Sequence, residues 1–374
     1  MGANNVLGLI FTNVNDSLFP ELTGIRSMGA VPFGGRYRVI DFHLSNLVNA
    51  NVDKVGIVPR SSYRSLMDHI GAGKAWDLDR KQGGLSFLPP YIIGSGSGTY
   101  KGHMDAIKNI GVYLSKSKEE YVILCDADVV CNIDFKDMIK QFKASGADIA
   151  VAFKNGKMPK YAAGHLVCQF DDNNIANDVI ISTEAGKECN YSLGIMIFRK
   201  EQLIDFAVAA YEHGNASINR SILFEYQQRN LKIFGYEVKG FAAVIDGIAS
   251  YTKASMDILN KDIRKDLFNP ARPVFTKTRD DMPTKYGLDS VVKNSVLGEG
   301  CVVEGTVENC ILFRGVKVGK GAVVKDCILM QETVIEDNCE LQYVTADKDA
   351  FVSSGTKLCG AENNHYIISK GTKI

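Results

Sequence analysis

Leu297-Gly298-Glu299-Gly300-Cys301-Val302-Val303 is echoed by Val318-Gly319-Lys320-Gly321-Ala322-Val323-Val324, and more weakly by Ile335-Glu336-Asp337-Asn338-Cys339-Glu340-Leu341. In each copy an aliphatic residue returns after six positions, and the copies start 21 and then 17 residues apart. That spacing is near three hexapeptides per coil of a parallel β-helix, whose coils bury their aliphatic residues only by stacking on the next. A run of β-hairpins with glycine turns is the plainer alternative, but it does not call for two matching seven-residue copies. Cys301, Cys310, Cys327 and Cys339 fall in this stretch and read as small apolar core residues.

Working back from the repeats, residues 266–288 hold Pro270, Pro273, Pro283 and the charged run Arg279-Asp280-Asp281, with no sustained periodicity. They read as a linker. Before it, over residues 1–265, strands and helices alternate. Val6–Phe11, Val55–Val58, Tyr121–Leu124 and Ile149–Phe153 are unbroken apolar runs, as buried strands are. Asp41–Asn49 and His103–Leu114 carry apolar residues at helical spacing. The alternation predicts an α/β domain with a mostly parallel sheet covered on both faces. The β-helix is expected over 289–374.

At 374 residues the chain is long enough for two domains. Lysine plus arginine equals aspartate plus glutamate at 43 each, so nothing in the charge calls for nucleic acid or an anionic membrane. No apolar run approaches the roughly 20 residues that span a bilayer. Nine cysteines with no Cys-x-x-Cys pair argue against a disulfide or metal framework, and a cytoplasmic protein is expected.

In open α/β sheets ligands bind at the carboxyl ends of the strands. Asp128 closes one such strand, with Asp126 two residues before it. Carboxylates there can hold Mg²⁺ bridging phosphate oxygens, or can simply cap the turn. The loop after the first strand, Thr12-Asn13-Val14-Asn15-Asp16-Ser17-Leu18, lacks the glycines and cations of a phosphate grip, and Asp16 would repel phosphate. Pro32-Phe33-Gly34-Gly35-Arg36-Tyr37-Arg38 offers two forked arginines to an anion, or is a turn flanked by exposed charges. Gly94-Ser95-Gly96-Ser97-Gly98 reads as a mobile loop.

Several segments together resemble the ADP-glucose pyrophosphorylase (glucose-1-phosphate adenylyltransferase) family. They include Ala30-Val31-Pro32-Phe33-Gly34-Gly35-Arg36-Tyr37-Arg38-Val39-Ile40-Asp41-Phe42, Trp76-Asp77-Leu78-Asp79, Leu88-Pro89-Pro90-Tyr91, Tyr100-Lys101-Gly102-His103-Met104-Asp105-Ala106-Ile107 and Ser192-Leu193-Gly194-Ile195. The resemblance implies a Rossmann-like nucleotidyltransferase domain followed by a left-handed β-helix. It implies a tetramer regulated by sugar-phosphate effectors. The family joins ATP to glucose 1-phosphate with Mg²⁺, giving ADP-glucose for glycogen or starch and releasing pyrophosphate.

The departures carry as much information. Catalytic members of the family open with Gly-Gly-x-Gly-x-Arg-Leu. Counted back from Val31, those glycines fall on Asn13, Val14 and Asp16, the arginine on Leu18, and a following lysine on Met28. The metal aspartate falls on Asp128, a second aspartate on Val244, and the Glu-Lys-Pro segment finds no counterpart near Ser182-Thr183-Glu184. Mg²⁺ and basic groups must offset the charge of two reacting anions, and losing one such donor costs about 10²–10³ in rate. The pattern resembles the GlgD-type regulatory subunit, which joins a catalytic subunit. Arg26, Arg36, Arg38, Gly102 and Ser192 are the candidates for residual ligand or effector binding, and Asp128 for metal. The alternative is an active sugar-1-phosphate nucleotidyltransferase with a rearranged site. A β-helix acyltransferase is disfavoured, because residues 289–360 contain no histidine to serve as its base.

Overall fold

The computed structural model describes residues 5–13, 16–90, 99–160 and 164–374. Val14, Tyr91 and the Gly94–Gly98 loop lie outside the described residues.

The nine strands of the large sheet are β1 (Val6–Phe11), β2 (Lys54–Val58), β3 (Gly84–Phe87), β4 (Tyr121–Asp126), β5 (Ile149–Lys157), β6 (His165–Phe170), β7 (Ala176–Ser182), β8 (Glu188–Arg199) and β9 (Ile233–Glu237). Every residue of β1 and β4 is buried, as their apolar runs require. β3, β2, β1 and β4 lie side by side and parallel, with Ile10 opposite both Ile57 and Cys125. Beyond β4 the sheet departs from the expected pattern. β8 joins antiparallel and brings in β5, β6 and β7, while β9 runs parallel to β5. The outermost added strand, β7, carries only the short apolar run Val179–Ile181 between polar residues and is mostly not buried. The helix expected over 103–114 is two, His103–Asn109 and Gly111–Ser115, joined at Ile110.

The C-terminal part is a left-handed β-helix built as three five-stranded parallel sheets. Its first strand, Lys285–Tyr286, starts slightly before the expected boundary and pairs with Val302–Val303. The sequence echo had the repeat right and the coil wrong. Leu297 lies on the third face of the first coil, whereas Val318 lies on the first face of the third. In a three-sided coil each face carries an equivalent hexapeptide, so copies on different faces resemble one another. Cys301, Cys310, Cys327 and Cys339 are all fully buried in its core.

The two domains are joined by more than the chain. The hairpin Pro32–Phe33/Tyr37–Arg38 turns through Gly34 and Gly35, both at positive φ (61° and 84°). Such turns favour glycine. A Cβ at Gly35 would lie 3.4 Å from Val296 Cγ1, so the hairpin tip rests on the first coil. Behind it, Met28, Phe33, Phe42 and Tyr251 share one apolar cluster with Ile311, Phe313, Ile328 and Met330 of the β-helix. The expected linker is a pinned strap. It opens with the end of the helix Lys261–Leu267, and Thr276 Oγ1 then donates to Asp41 Oδ2 at 2.6 Å while Asn49 Nδ2 donates to Pro273 O at 3.0 Å.

Charge completes the junction. Arg26 Nη2 meets Asp347 Oδ2 at 2.8 Å, and both side chains are only 2% exposed. Glu299 bridges Arg36 and Arg314, each at 2.9 Å. Removing one partner of a buried pair strands the other charge. Asp347→Ala should therefore lower stability by about 3–5 kcal/mol in urea unfolding, whereas the double change Arg26→Met/Asp347→Leu should cost far less.

Candidate functional site

The carboxyl ends of β1 and β2 open into a cleft of about 970 Å³. Phe11, Asn13, Asp16, Arg60, Lys101, Gly102 and His103 line one side, and the 213–220 segment lines the other. Gly102 is required there, because a Cβ would come within 2.4 Å of Ala216 O.

The loop that leaves β1 is filled by its own side chain. Asp16 Oδ1 accepts the backbone N–H of Met28 at 3.0 Å, and Asp16 Oδ2 accepts Asn13 Nδ2 at 2.5 Å. Asn13 Oδ1 in turn accepts the N–H of Arg60 at 2.7 Å, tying the loop to the end of β2. Burial raises the Asp16 carboxyl to about 6, against the smaller opposing effects of Asn13, the Met28 N–H and Arg60. Leu18 ends a short 3₁₀ turn, Asp16–Leu18. Met28 is fully buried in the interdomain cluster.

At the end of β4, Asp126 Oδ1 accepts His103 Nε2–H at 2.6 Å, and the imidazole lies 4.6 Å from the Phe11 ring. Asp128 lies in the turn beyond the strand and is 2% exposed. Val244 faces it across a short ladder with Val129. Asp126, Asp128, Ser192 and Val244 bound a void of only about 10 Å³, too small for a ligand. The Ser192 hydroxyl accepts the N–H of Gly194 at 3.1 Å, and its carbonyl accepts from His165. Asp246, near the position of the second family aspartate, accepts the N–H of Lys160 at 2.6 Å. Among the described residues no group of three or more His, Cys, Asp or Glu could hold a metal ion.

The three candidate arginines lie elsewhere, at the domain junction. Arg36 meets Glu299 at 2.9 Å, so its hairpin is charge-paired to the β-helix. Arg38 donates to Ser65 O at 2.6 Å, and burial lowers its guanidinium to about 10, with Asp41 opposing. Arg26 is paired with Asp347, yet its Nη1 is buried without a partner among the described residues. Lys348 completes this corner. Burial, and then the charges of Arg38 and Arg26, push it down to about 7. Nothing in the sequence marked Lys348, because only the docking of the β-helix brings it to Arg26 and Arg38. His103 was in plain view inside the Tyr100–Ile107 segment, but its partner Asp126 was not.

An α/β domain of this topology followed by a hexapeptide β-helix defines a sugar-nucleotide nucleotidyltransferase architecture. The family described as "Nucleotidyl transferase" matches residues 17–174, and "GlmU-like, C-terminal hexapeptide" matches 279–368. The chain is 37% identical to the glycogen biosynthesis protein GlgD of Bacillus subtilis (strain 168) over 371 residues, covering 98% of this chain and 96% of that protein. It is 38% identical over 322 residues to GlgD of Geobacillus stearothermophilus, covering 86% and 83%. It is 32% identical over 381 residues to the glucose-1-phosphate adenylyltransferase of Clostridium perfringens (strain SM101 / Type A), covering 100% and 97%. The chain belongs to the family of glucose-1-phosphate adenylyltransferases and GlgD proteins.

Because Met28 points into the core, a lysine there would be a buried, unpaired charge. Met28→Lys should lower stability by about 3 kcal/mol or more in thermal or urea unfolding and should not restore a phosphate grip. A stable Met28→Lys variant would contradict this placement of the side chain.

Proposed function

We propose that this chain is a regulatory subunit of glucose-1-phosphate adenylyltransferase, serving glycogen synthesis. It packs with a catalytic subunit in a hetero-oligomer, with a tetramer as the expected form, and supports conversion of ATP and glucose 1-phosphate to ADP-glucose and pyrophosphate. Alone it has little or no turnover. The observation that carries this reading is the Asp16 carboxylate seated on the Met28 N–H, in the loop where a triphosphate would need glycines and a cation. Transfer between two anions requires positive charge in that place.

The regulatory half rests on the junction. Arg26, Arg38 and Lys348 lie close enough for their charges to act on one another, beside the carboxylates of Asp347 and Asp41, with Arg26 Nη1 unsatisfied among the described residues. Such a corner suits a phosphorylated sugar, whose oxygens accept forked N–H groups. Its walls come from both domains, so an anion bound there would favour one domain arrangement over others. An effector acts only through such a difference between states.

Two outcomes test this. The purified chain should form ADP-glucose far more slowly than the ~1–10³ s⁻¹ of ordinary enzymes, and should raise the rate of a catalytic subunit when mixed with it. Robust turnover by the chain alone would sink the reading. Sugar-phosphate affinity, measured by calorimetry, should rise as pH falls through about 7. The sign follows because the anion favours charged Lys348, so binding takes up a proton. Lys348→Met should abolish that pH dependence.

A further inference from the structure

We propose that Asp16 and His103 are resident occupants of the cleft: the Asp16 carboxylate takes the seat of a substrate phosphate, and the His103 imidazole takes the seat of a divalent cation. The inference rests on reading the cleft as a nucleotidyltransferase site that no longer turns over. It goes further by stating that the site is filled and not merely depleted.

Consider the phosphate side first. Asp16 Oδ1 holds the Met28 N–H and Oδ2 holds Asn13 Nδ2. Arg60, the cation that acts on Asp16, has its own N–H bound to Asn13 Oδ1. Donors that a phosphate would use are thus engaged by, or linked to, a carboxylate of the chain itself. An incoming phosphate would meet that negative charge in place of free N–H groups.

The cation side is closed in the same way. Mg²⁺ ordinarily takes one or two carboxylates, several waters and the substrate phosphates. Asp126 Oδ1 is engaged by His103 Nε2 at 2.6 Å. Asp126 Oδ2 lies against the backbone of Gly194, where a Cβ would come within 2.5 Å of it. Gly194 adopts φ +66°, at the point where the pairing of β8 with β5 shifts register. Phe11 packs against the His103 ring and keeps it over Asp126. Asp128, in the turn beyond this strand end, is buried as well.

His103 and Asp16 line the same cleft. Phosphate and cation reach such a site as one complex, so the two occupants oppose the same ligand and their removal should be cooperative.

The test titrates Mn²⁺ with inorganic pyrophosphate into the full chain and into Asp16→Asn, His103→Ala and the double variant. Mn²⁺ paramagnetic resonance and calorimetry read the Mn²⁺-dependent part of binding, which separates the cleft from the basic corner at the domain junction. The double variant is expected to bind the Mn²⁺–pyrophosphate complex at least about tenfold tighter than the unaltered chain, which is about 1.4 kcal/mol. Equal affinity in the two, with unfolding temperatures unchanged, overturns the proposal. A second measurement needs no variant: the His103 ring signals in an NMR spectrum of the unaltered chain should not move on adding Mg²⁺ and pyrophosphate. A saturable shift overturns the proposal as well. Failure of the regulatory reading would show instead as no effect on a catalytic subunit, whatever the binding results.

Discussion

Arg26 and Asp347, a guanidinium and a carboxylate both withdrawn from water, meet across the two domains, and the rest of the architecture is arranged around that meeting. Burying a charge pair is costly unless the geometry is good and the surroundings hold it in place. Here the surroundings are the glycine hairpin on the first coil, the aromatic and aliphatic cluster behind it, and the strap pinned to Asp41 and Asn49. Together they make the β-helix a wall of the first domain and not an appendage. The same docking carries Lys348 to Arg26 and Arg38. One junction therefore joins the two domains and brings Lys348 beside Arg26 and Arg38.

The cleft and the junction differ in character. The cleft opens at the ends of β1 and β2, where Asp16 and His103 engage hydrogen-bonding groups of the chain itself. The junction keeps an unsatisfied donor and a lysine held near neutrality. The proposed regulatory role draws on both features.

Much of this was legible beforehand, and the failures have physical causes. Unbroken apolar runs revealed β1, β2, β4 and the start of β5, because strands buried on both faces need no alternation. β7 is harder to read because its apolar run, Val179–Ile181, is only three residues long and flanked by polar ones. The hexapeptides revealed the β-helix but hid its register, since all three faces are alike. At the site, the sequence singles out Asp16 and Met28, and the fold bonds the Asp16 carboxylate to the Met28 N–H. A glycine-rich basic hairpin looks the same in sequence whether it grips an anion or docks on a neighbouring domain, so the Arg36–Glu299 pairing is seen only in the fold. Lys348 and the His103–Asp126 pair could not be read at all, because each depends on residues far apart in sequence meeting in space.

The most direct test is hydrogen exchange on the full chain, with a sugar phosphate added in one experiment and Mg²⁺ with ATP in another. The account predicts slowed exchange around residues 26–38 and 345–349 with the sugar phosphate, and no change around 100–107 and 192–196 with Mg²⁺ and ATP. Protection of the cleft by Mg²⁺ and ATP, with the junction indifferent to sugar phosphate, would contradict it.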